Sequence, residues 1–286
     1  MRRTITASAL IAALVLFAAP GKLSAQASSS PDRIDRIDRI DKDTLRKFFK
    51  DFGAVCASPR DWQDRDLWTF AAIVGGGILL YAADTRIQDW AQKHRSDTTN
   101  DVSGFISNFG DGFVLSTVLL GVYAAGERAG RPSWRRTALL SLESLGSTAL
   151  IVFVSKFAIG RARPYAHEGN HSYEPFSTRS AYYSMPSGHA ASAWAVATAI
   201  AEQSESPVVD AIAYGLAALA AASRVHDNKH WASDVFLGSA LGYFTAKKIC
   251  RINRPKLLLS PTLLENACLS FELAGPRRSV TLTLSW

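Results

Sequence analysis

Three short segments of the chain carry residue types that suit phosphate chemistry. The first, residues 156–164, places Lys156, Arg161 and Arg163 at the end of an apolar stretch and closes on Pro164, which is expected to stop a helix. Lysine offers a compact charge and arginine a planar fork of donors, and both match phosphate oxygens. Helix ends also collect solvated cations, so this segment alone is weak evidence for a site.

The second segment, Pro-Ser-Gly-His at 186–189, is predicted to open an apolar helix. A helix N-terminus presents free backbone N–H groups to an anion; Gly188 allows close approach, and the Ser187 hydroxyl adds a donor. His189 would then lie beside the bound anion, where a general acid is needed. The alternative is an ordinary serine N-cap followed by an incidental histidine.

The third segment joins Ser223 and Arg224 to His230 and Asp234. The last two are four residues apart, so a helix would place them on one face. An acid beside one imidazole nitrogen fixes the tautomer and leaves the other nitrogen free to attack, while Arg224 supplies another anion donor. The alternative is an inert surface pair. All three segments flank apolar stretches, and their joint occurrence favours a phosphate site.

Taken together, these segments read Lys-x6-Arg-Pro, Pro-Ser-Gly-His and Ser-Arg-x5-His-x3-Asp. This pattern resembles the three-part signature of the type-2 phosphatidic acid phosphatase superfamily, which also includes bacterial non-specific acid phosphatases and vanadium haloperoxidases. The resemblance covers roughly Leu67 to Lys256. It implies an α-helical bundle with a phosphate pocket that needs no metal ion and no cofactor.

The resemblance also implies a role for each matched side chain. His230 would attack phosphorus and form a phosphohistidine, Asp234 would orient it, and His189 would protonate the leaving oxygen and then activate water. The phosphoryl oxygens would be held by the other matched residues, namely Lys156, Arg163, Ser187, Gly188 and Arg224. The expected substrate is a phosphomonoester or diphosphate, with a lipid phosphate favoured over a small soluble phosphoester. The alternatives are a vanadate-dependent haloperoxidase and a non-catalytic envelope protein.

Other polar residues near these segments receive weaker assignments. Arg161 is either a supporting residue or a surface cation. His167 and His171 have helical spacing for a metal ion, but Gly169 and Asn170 argue against a helix there. We therefore expect a polar substrate loop and no metal site.

Six apolar, alanine-rich blocks must position these segments. Because they lack strict alternation, they predict an all-α bundle of about six core helices, at 67–83, 113–125, 138–159, 188–201, 208–222 and 234–248. Residues 101–112 are predicted to form a loop. Hydrophobic residues make up 48% of the 286 positions and charged residues 20%, which excludes a disordered chain and a disulfide scaffold. The predicted phosphatase domain is 67–256.

The two ends of the chain differ from this domain. Residues 1–25 have the basic start, apolar centre and small residues of a signal peptide. Residues 26–66 are predicted to be a polar linker and N-terminal segment, with an Arg-Ile-Asp repeat. Residues 257–286 alternate like strands and predict a short hairpin-like tail. Of the three cysteines, Cys250 and Cys268 form either a bridge or buried thiols.

The net charge of +7 favours an anionic membrane surface or a phosphorylated substrate. Nucleic acid is not expected, because no run of Lys and Arg is interleaved with aromatic residues. Six full spans would put two Lys/Arg clusters on one side of a membrane and the motifs on the other, but a cleaved signal peptide requires the reverse orientation. We therefore expect an exported bundle in the bacterial cell envelope, soluble or membrane-associated, with its pocket on the periplasmic side.

Overall fold

The computed structural model describes Ile40, residues 42–254 and the two segments 270–274 and 279–283. The predicted signal peptide at 1–25 and nearly all of the Arg-Ile-Asp repeat lie outside the described residues. Cys268 does too, so its pairing with Cys250 stays a prediction.

The described residues form eight α-helices and a short hairpin, which confirms the predicted all-α class. The helices are α1 (Thr44–Ala57), α2 (Asp64–Lys93), α3 (Asp97–Ile106), α4 (Gly112–Arg128), α5 (Pro132–Ile159), α6 (Gly188–Gln203), α7 (Pro207–His226) and α8 (Ala232–Ile252). Each of the six predicted blocks lies within one of these helices, and every helix is longer than its block.

Two helices were not predicted. Helix α1 lies within the predicted polar segment 26–66, where Phe48, Phe52 and Val55 recur at helical spacing. The loop predicted at 101–112 is wrong in its first half, because α3 continues to Ile106. That helix begins at a reciprocal cap: the Thr99 N–H donates to the Ser96 hydroxyl at 3.2 Å, and the Ser96 N–H donates to the Thr99 hydroxyl at 2.9 Å.

Helix α6 is the centre of the bundle and packs against α5, α7 and α8. Its buried face consists mainly of small alanines, which allow close approach. Two glycines of α8 meet it: a Cβ at Gly238 would lie 2.5 Å from the Ser187 carbonyl oxygen, and one at Gly242 would lie 2.1 Å from the Ala191 carbonyl oxygen. Because a side chain fits at neither position, α8 passes directly against the start of α6.

Three helices, α2, α5 and α7, are long and apolar enough to cross a membrane by length and composition. Helices α3 and α4, which meet at a bend of 57°, add a fourth candidate if they count as one span. In α2 only 6% of the most apolar window is buried inside the protein, and Trp68 and Leu79 are 77% and 74% exposed. A face this apolar and this exposed is the surface of a membrane-associated protein.

The C-terminal segments form a separate unit. Strands β1 (Ser270–Ala274) and β2 (Ser279–Thr283) pair antiparallel, with Phe271 opposite Leu282 and Leu273 opposite Val280. This register agrees with the alternation in the predicted strand-like tail.

Candidate active site

The first segment leaves its helix earlier than predicted. Helix α5 ends at Ile159, and Gly160 caps it in the left-handed region with φ of 60°. A Cβ at Gly160 would lie 1.8 Å from the Glu174 carbonyl oxygen, so this position requires glycine. Helix α5 is therefore stopped by Gly160 rather than by Pro164, and the chain is extended at Arg163.

Lys156 and Arg163 converge on one backbone oxygen. Lys156 Nζ donates to the Tyr183 carbonyl at 2.5 Å, and Arg163 Nη2 donates to the same oxygen at 3.2 Å. Neither cation forms an ion pair with a carboxylate within residues 42–254. Because their shared acceptor is neutral, the positive charge of both side chains is uncompensated, and an anion would bind favourably beside them.

The second segment begins α6 as predicted, but Ser187 is not an ordinary N-cap. Its side chain makes no capping hydrogen bond, and its Oγ is buried without a hydrogen-bond partner among the described residues. Its N–H donates to the Asp234 carbonyl at 2.9 Å, which ties α6 to α8. A Cβ on Gly188 would lie 3.8 Å from Lys156 Cε, so the start of α6 faces the Lys156 side chain.

His189 lies on the first turn of α6, against a residue that the sequence analysis did not identify. Its Nε2 is 3.8 Å from Asp111 Oδ2, and Asp111 itself caps α4 by accepting the Phe113 and Val114 N–H groups. Burial, followed by the charge of Arg224, lowers the pKa of His189 to about 4, although Asp111 opposes this shift. With this pKa, His189 is neutral at pH 7.

The third segment brings His230 and Asp234 together, but not on one helical face. His230 precedes α8 by two residues, and Asp234 lies in the first turn, where its Oδ2 accepts the Trp231 N–H at 3.1 Å. His230 Nδ1 is 3.9 Å from Asp234 Oδ2, and both side chains are buried, at 4% and 0% exposed. The pair is thus an interior one, and the surface alternative is wrong.

Burial lowers the pKa of His230 well below its ordinary value, and the charges of Lys156 and Arg163 lower it further. The imidazole is therefore neutral, which is the form that can act as a nucleophile.

Arg224 lies in the last turn of α7 and is 7% exposed. Its guanidinium pairs with Asp227, which also accepts a hydrogen bond from the Ser103 hydroxyl at 2.6 Å. The Arg224 carbonyl accepts the His230 N–H at 3.2 Å. This bond ties the end of α7 to the segment that carries His230.

Arg161 is not a surface cation. It is completely buried and pairs with two carboxylates, Asp84 on α2 at 2.7 Å and Asp234 on α8 at 2.6 Å. Ser184 also donates to Asp234, at 2.5 Å. Asp84 and Ser184 were not predicted; the signal available for Asp84 was a carboxylate directly after the apolar block 67–83.

The connection between Arg163 and α6 is irregular, as predicted for a loop. His167 has φ of 59°, and His171 Nδ1 lies 2.7 Å from the Tyr81 hydroxyl, so the two histidines do not share a helical face. Within the described ranges, no three His, Cys, Asp or Glu residues are grouped in a way that could hold a metal ion.

The five residues predicted to hold phosphate, here called the phosphate cradle, are Lys156, Arg163, Ser187, Gly188 and Arg224. The Asp84 network comprises Asp84, Arg161, Ser233 and Asp234. His230 lies between them, and His189 lies beside the cradle.

Comparison with known protein families agrees with this geometry. The model of the PAP2 superfamily matches residues 137–256, a range that holds all three motif segments and runs from α5 past the end of α8. This match confirms the predicted resemblance for residues 137–256.

Individual relatives point the same way. A lipid A 1-phosphatase of Porphyromonas gingivalis is 28% identical over 239 residues, which are 82% of this chain and 48% of the relative. The chain thus spans about half the length of that curated relative.

Two solved structures are also similar. One is a transmembrane PAP2-type phosphatidylglycerolphosphate phosphatase from Bacillus subtilis, with a TM-score of 0.52, 25% identity, and coverage of 65% of this chain and 96% of that one. The other is LpxE of Aquifex aeolicus, with a TM-score of 0.47, 18% identity, and coverage of 59% and 94%.

Proposed function

We propose that this protein is a metal-independent phosphatase that hydrolyses the phosphate of a lipid through a phosphohistidine intermediate. The observation that carries this proposal is the unsatisfied state of the phosphate cradle. Arg163 Nε and Ser187 Oγ are buried without hydrogen-bond partners among the described residues. Buried polar atoms almost always have partners, and a phosphoryl group would supply acceptor oxygens to both.

In the first step, the free ring nitrogen of His230 donates its lone pair to phosphorus, and the bond from phosphorus to the leaving oxygen breaks. The leaving oxygen takes a proton from His189. His230 becomes cationic, and the buried Asp234 carboxylate on its Nδ1 side stabilises that charge.

In the second step, a water molecule attacks phosphorus while His189 removes its proton. The phosphorus–nitrogen bond breaks, and its electron pair returns to His230. Inorganic phosphate leaves, and both histidines regain their starting states.

The electrostatic contribution comes from the phosphate cradle. Three cations and the N–H groups at the start of α6 would face the equatorial oxygens, where charge accumulates in phosphoryl transfer. Bound phosphate would also offset the cations that depress the pKa of His189. This compensation would allow His189 to carry the proton that the first step needs.

A lipid substrate is supported by the apolar exterior of α2 and by the relatives, one named for lipid A and one for phosphatidylglycerolphosphate. The periplasmic side is proposed on the predicted signal peptide alone.

Rapid-quench labelling of the full chain in detergent tests the mechanism. With a phosphorus-labelled aryl phosphate, His230→Ala should give no phosphoenzyme. His189→Ala should still label but should lose hydrolysis of alkyl phosphates by ~10²–10⁴-fold, since alkoxides are poor leaving groups. His94→Ala, at the exposed end of α2, is the control. Normal labelling of His230→Ala together with no labelling of His189→Ala would reverse the two roles.

A second experiment tests metal independence and substrate class. Phosphate release should survive chelation by EDTA, and it should be faster from a long-chain phosphatidic acid in mixed micelles than from glycerol phosphate. Complete loss in EDTA that a divalent ion restores would overturn the mechanism.

A further inference from the structure

The strongest feature that the proposed mechanism does not use is the buried charge cluster behind Asp234. Asp84, Arg161, Ser233 and Asp234 are all completely buried. Asp84 belongs to α2, far in sequence from the three motif segments, yet it reaches Arg161 across 77 positions of the chain.

Every polar side-chain group of this cluster has a hydrogen-bond partner. The Asp84 carboxylate accepts the Ser233 N–H at 2.9 Å, the Ser233 hydroxyl at 2.6 Å and Arg161 Nη2 at 2.7 Å. Arg161 uses its remaining donors on Asp234, on Ser233 Oγ at 2.8 Å and on the Asn170 carbonyl at 3.0 and 3.1 Å. All five guanidinium N–H groups thus have acceptors, and the arginine has no freedom to turn.

The charges in this cluster do not cancel. Two carboxylates and one guanidinium leave one net negative charge. Without Asp84, Arg161 would neutralise Asp234, and the buried pair would present no net charge to His230. With Asp84 present, the Asp84 carboxylate neutralises the positive charge of Arg161. The negative charge of Asp234 then still acts on the His230 imidazole.

We propose that Asp84 is a positioning residue of the phosphatase site: through Arg161 and Ser233 it fixes the Asp234 carboxylate and keeps its negative charge available to His230. The proposal rests on the proposed function, because it assigns Asp84 to the step in which His230 becomes cationic. The hydrogen bonds of Asp84 go to Arg161 and Ser233 and to no residue of the phosphate cradle.

The other charged groups around His230 are cationic or ionisable and do not replace Asp84. Those whose charge acts on His230 are Lys156 on α5, Arg163 after α5 and His189 on α6. The network is therefore the source of negative charge on this side of His230, among the residues that the structure describes.

The test is a charge series in the full-length protein in detergent, with Asp84→Asn and the double variant Asp84→Asn with Arg161→Gln. The single variant makes the network neutral and should lower the pKa of His230. The double variant restores one net negative charge and should return that pKa toward the wild-type value. Nuclear magnetic resonance of histidine labelled with nitrogen-15, assigned with His230→Gln, measures it without substrate.

Turnover gives the second readout. Carboxylates that orient a histidine from the outer shell, as measured at metal sites, are worth a factor of ~10–100. We expect kcat of Asp84→Asn on an aryl phosphate to fall by about that factor with KM nearly unchanged, whereas Asp89→Asn, an exposed position on the same helix, should match the wild type.

The outcomes separate the two proposals. A wild-type protein that releases no phosphate contradicts the proposed function, while the pKa series still decides the role of Asp84. The role of Asp84 is overturned if the pKa of His230 is the same in all variants, or if the double variant lowers it further than the single one. Should Asp84→Asn not fold, the double variant alone decides, since its His230 pKa must stay near the wild-type value.

Discussion

The Asp84 network and the phosphate cradle are neighbouring groups of buried charge with opposite character. In the network, the Arg161 guanidinium and Ser233 donate to two carboxylates at 2.6–2.9 Å. In the cradle, Lys156 and Arg163 share one neutral carbonyl, and two buried polar atoms have no partner. His230 lies between the two groups.

This difference separates two uses of charge within one fold. A saturated network holds a geometry and has nothing left to offer a ligand, whereas an unsaturated one stores free energy that a ligand can release. Mutations should therefore divide in the same way: those in the network should lower folding stability as well as turnover, whereas those in the cradle should lower turnover and leave folding stability intact.

The largest expected effect is on the stability of the network. Arg161→Gln leaves two buried carboxylates without a counter-ion, and breaking a buried pair in this way costs about 3–5 kcal/mol. Thermal denaturation in detergent measures this loss. Adding Asp84→Asn should recover part of it, because one of the two unpaired charges is then removed. Independent, additive losses in the double variant would show that Asp84 and Arg161 do not act as a unit.

The next effect concerns the cradle. Arg163→Gln should reduce kcat/KM by ~10²–10³, the usual loss for one donor to a transition-state oxygen. Its unfolding temperature should stay at or above that of the wild type, because the repulsion between Arg163 and Lys156 is removed. Arg179→Gln, an exposed arginine on the same connection, serves as the control. If Arg163→Gln loses stability as Arg161→Gln does, the distinction between the two groups is wrong.

A smaller effect follows from filling the cradle. Vanadate at about 100 times its dissociation constant should stabilise the fold by ~2.7 kcal/mol, and Arg163→Gln should remove most of this gain. Thermal shift measurements with increasing vanadate test it. The same samples, given hydrogen peroxide and halide, distinguish inhibition from haloperoxidase activity; halide oxidation with no phosphate release would favour the haloperoxidase.

The smallest effect is a dependence of stability on pH. His189 has a pKa of about 4 in the folded site against an ordinary 6.5. Between these two pH values the unfolded chain therefore binds a proton that the folded chain does not. Stability from His189 is fully present above pH 6.5 and is lost as pH falls toward 4. His189→Gln should unfold less readily in acid than the wild type, and denaturation curves at pH 4.5 and 7 measure the difference. An equal acid loss in both proteins would exclude His189 as the source.

Much of the cradle could be predicted because its members lie in short, contiguous motifs. Lys156 and Arg163 are seven positions apart, and Ser187, Gly188 and His189 are consecutive, so local chain geometry already brings them together. Asp84 gave no such signal, since only the packing of α2 against α8 brings it to Arg161. A carboxylate in an apolar helix reveals that it needs a partner but not which one.

The errors in local structure have a similar cause. Residues 97–106 are rich in polar residues that favour loops, and a single reciprocal cap at Ser96 and Thr99 makes them a helix. The early stop of α5 depends on the approach of the Glu174 carbonyl to Gly160, which lies 14 residues farther along the chain and is not visible in the local pattern.

The two glycines of α8 have a consequence for how this site tolerates change. Gly238 and Gly242 touch the backbone of α6, and the same helix carries Asp234 only one turn before Gly238. A methyl group at either glycine would act as a wedge, tilting α8 and moving Asp234 away from Ser187, to whose N–H its carbonyl is bonded. The relative positions of Asp234, His230 and the start of α6 therefore depend on two glycines that take no part in the chemistry.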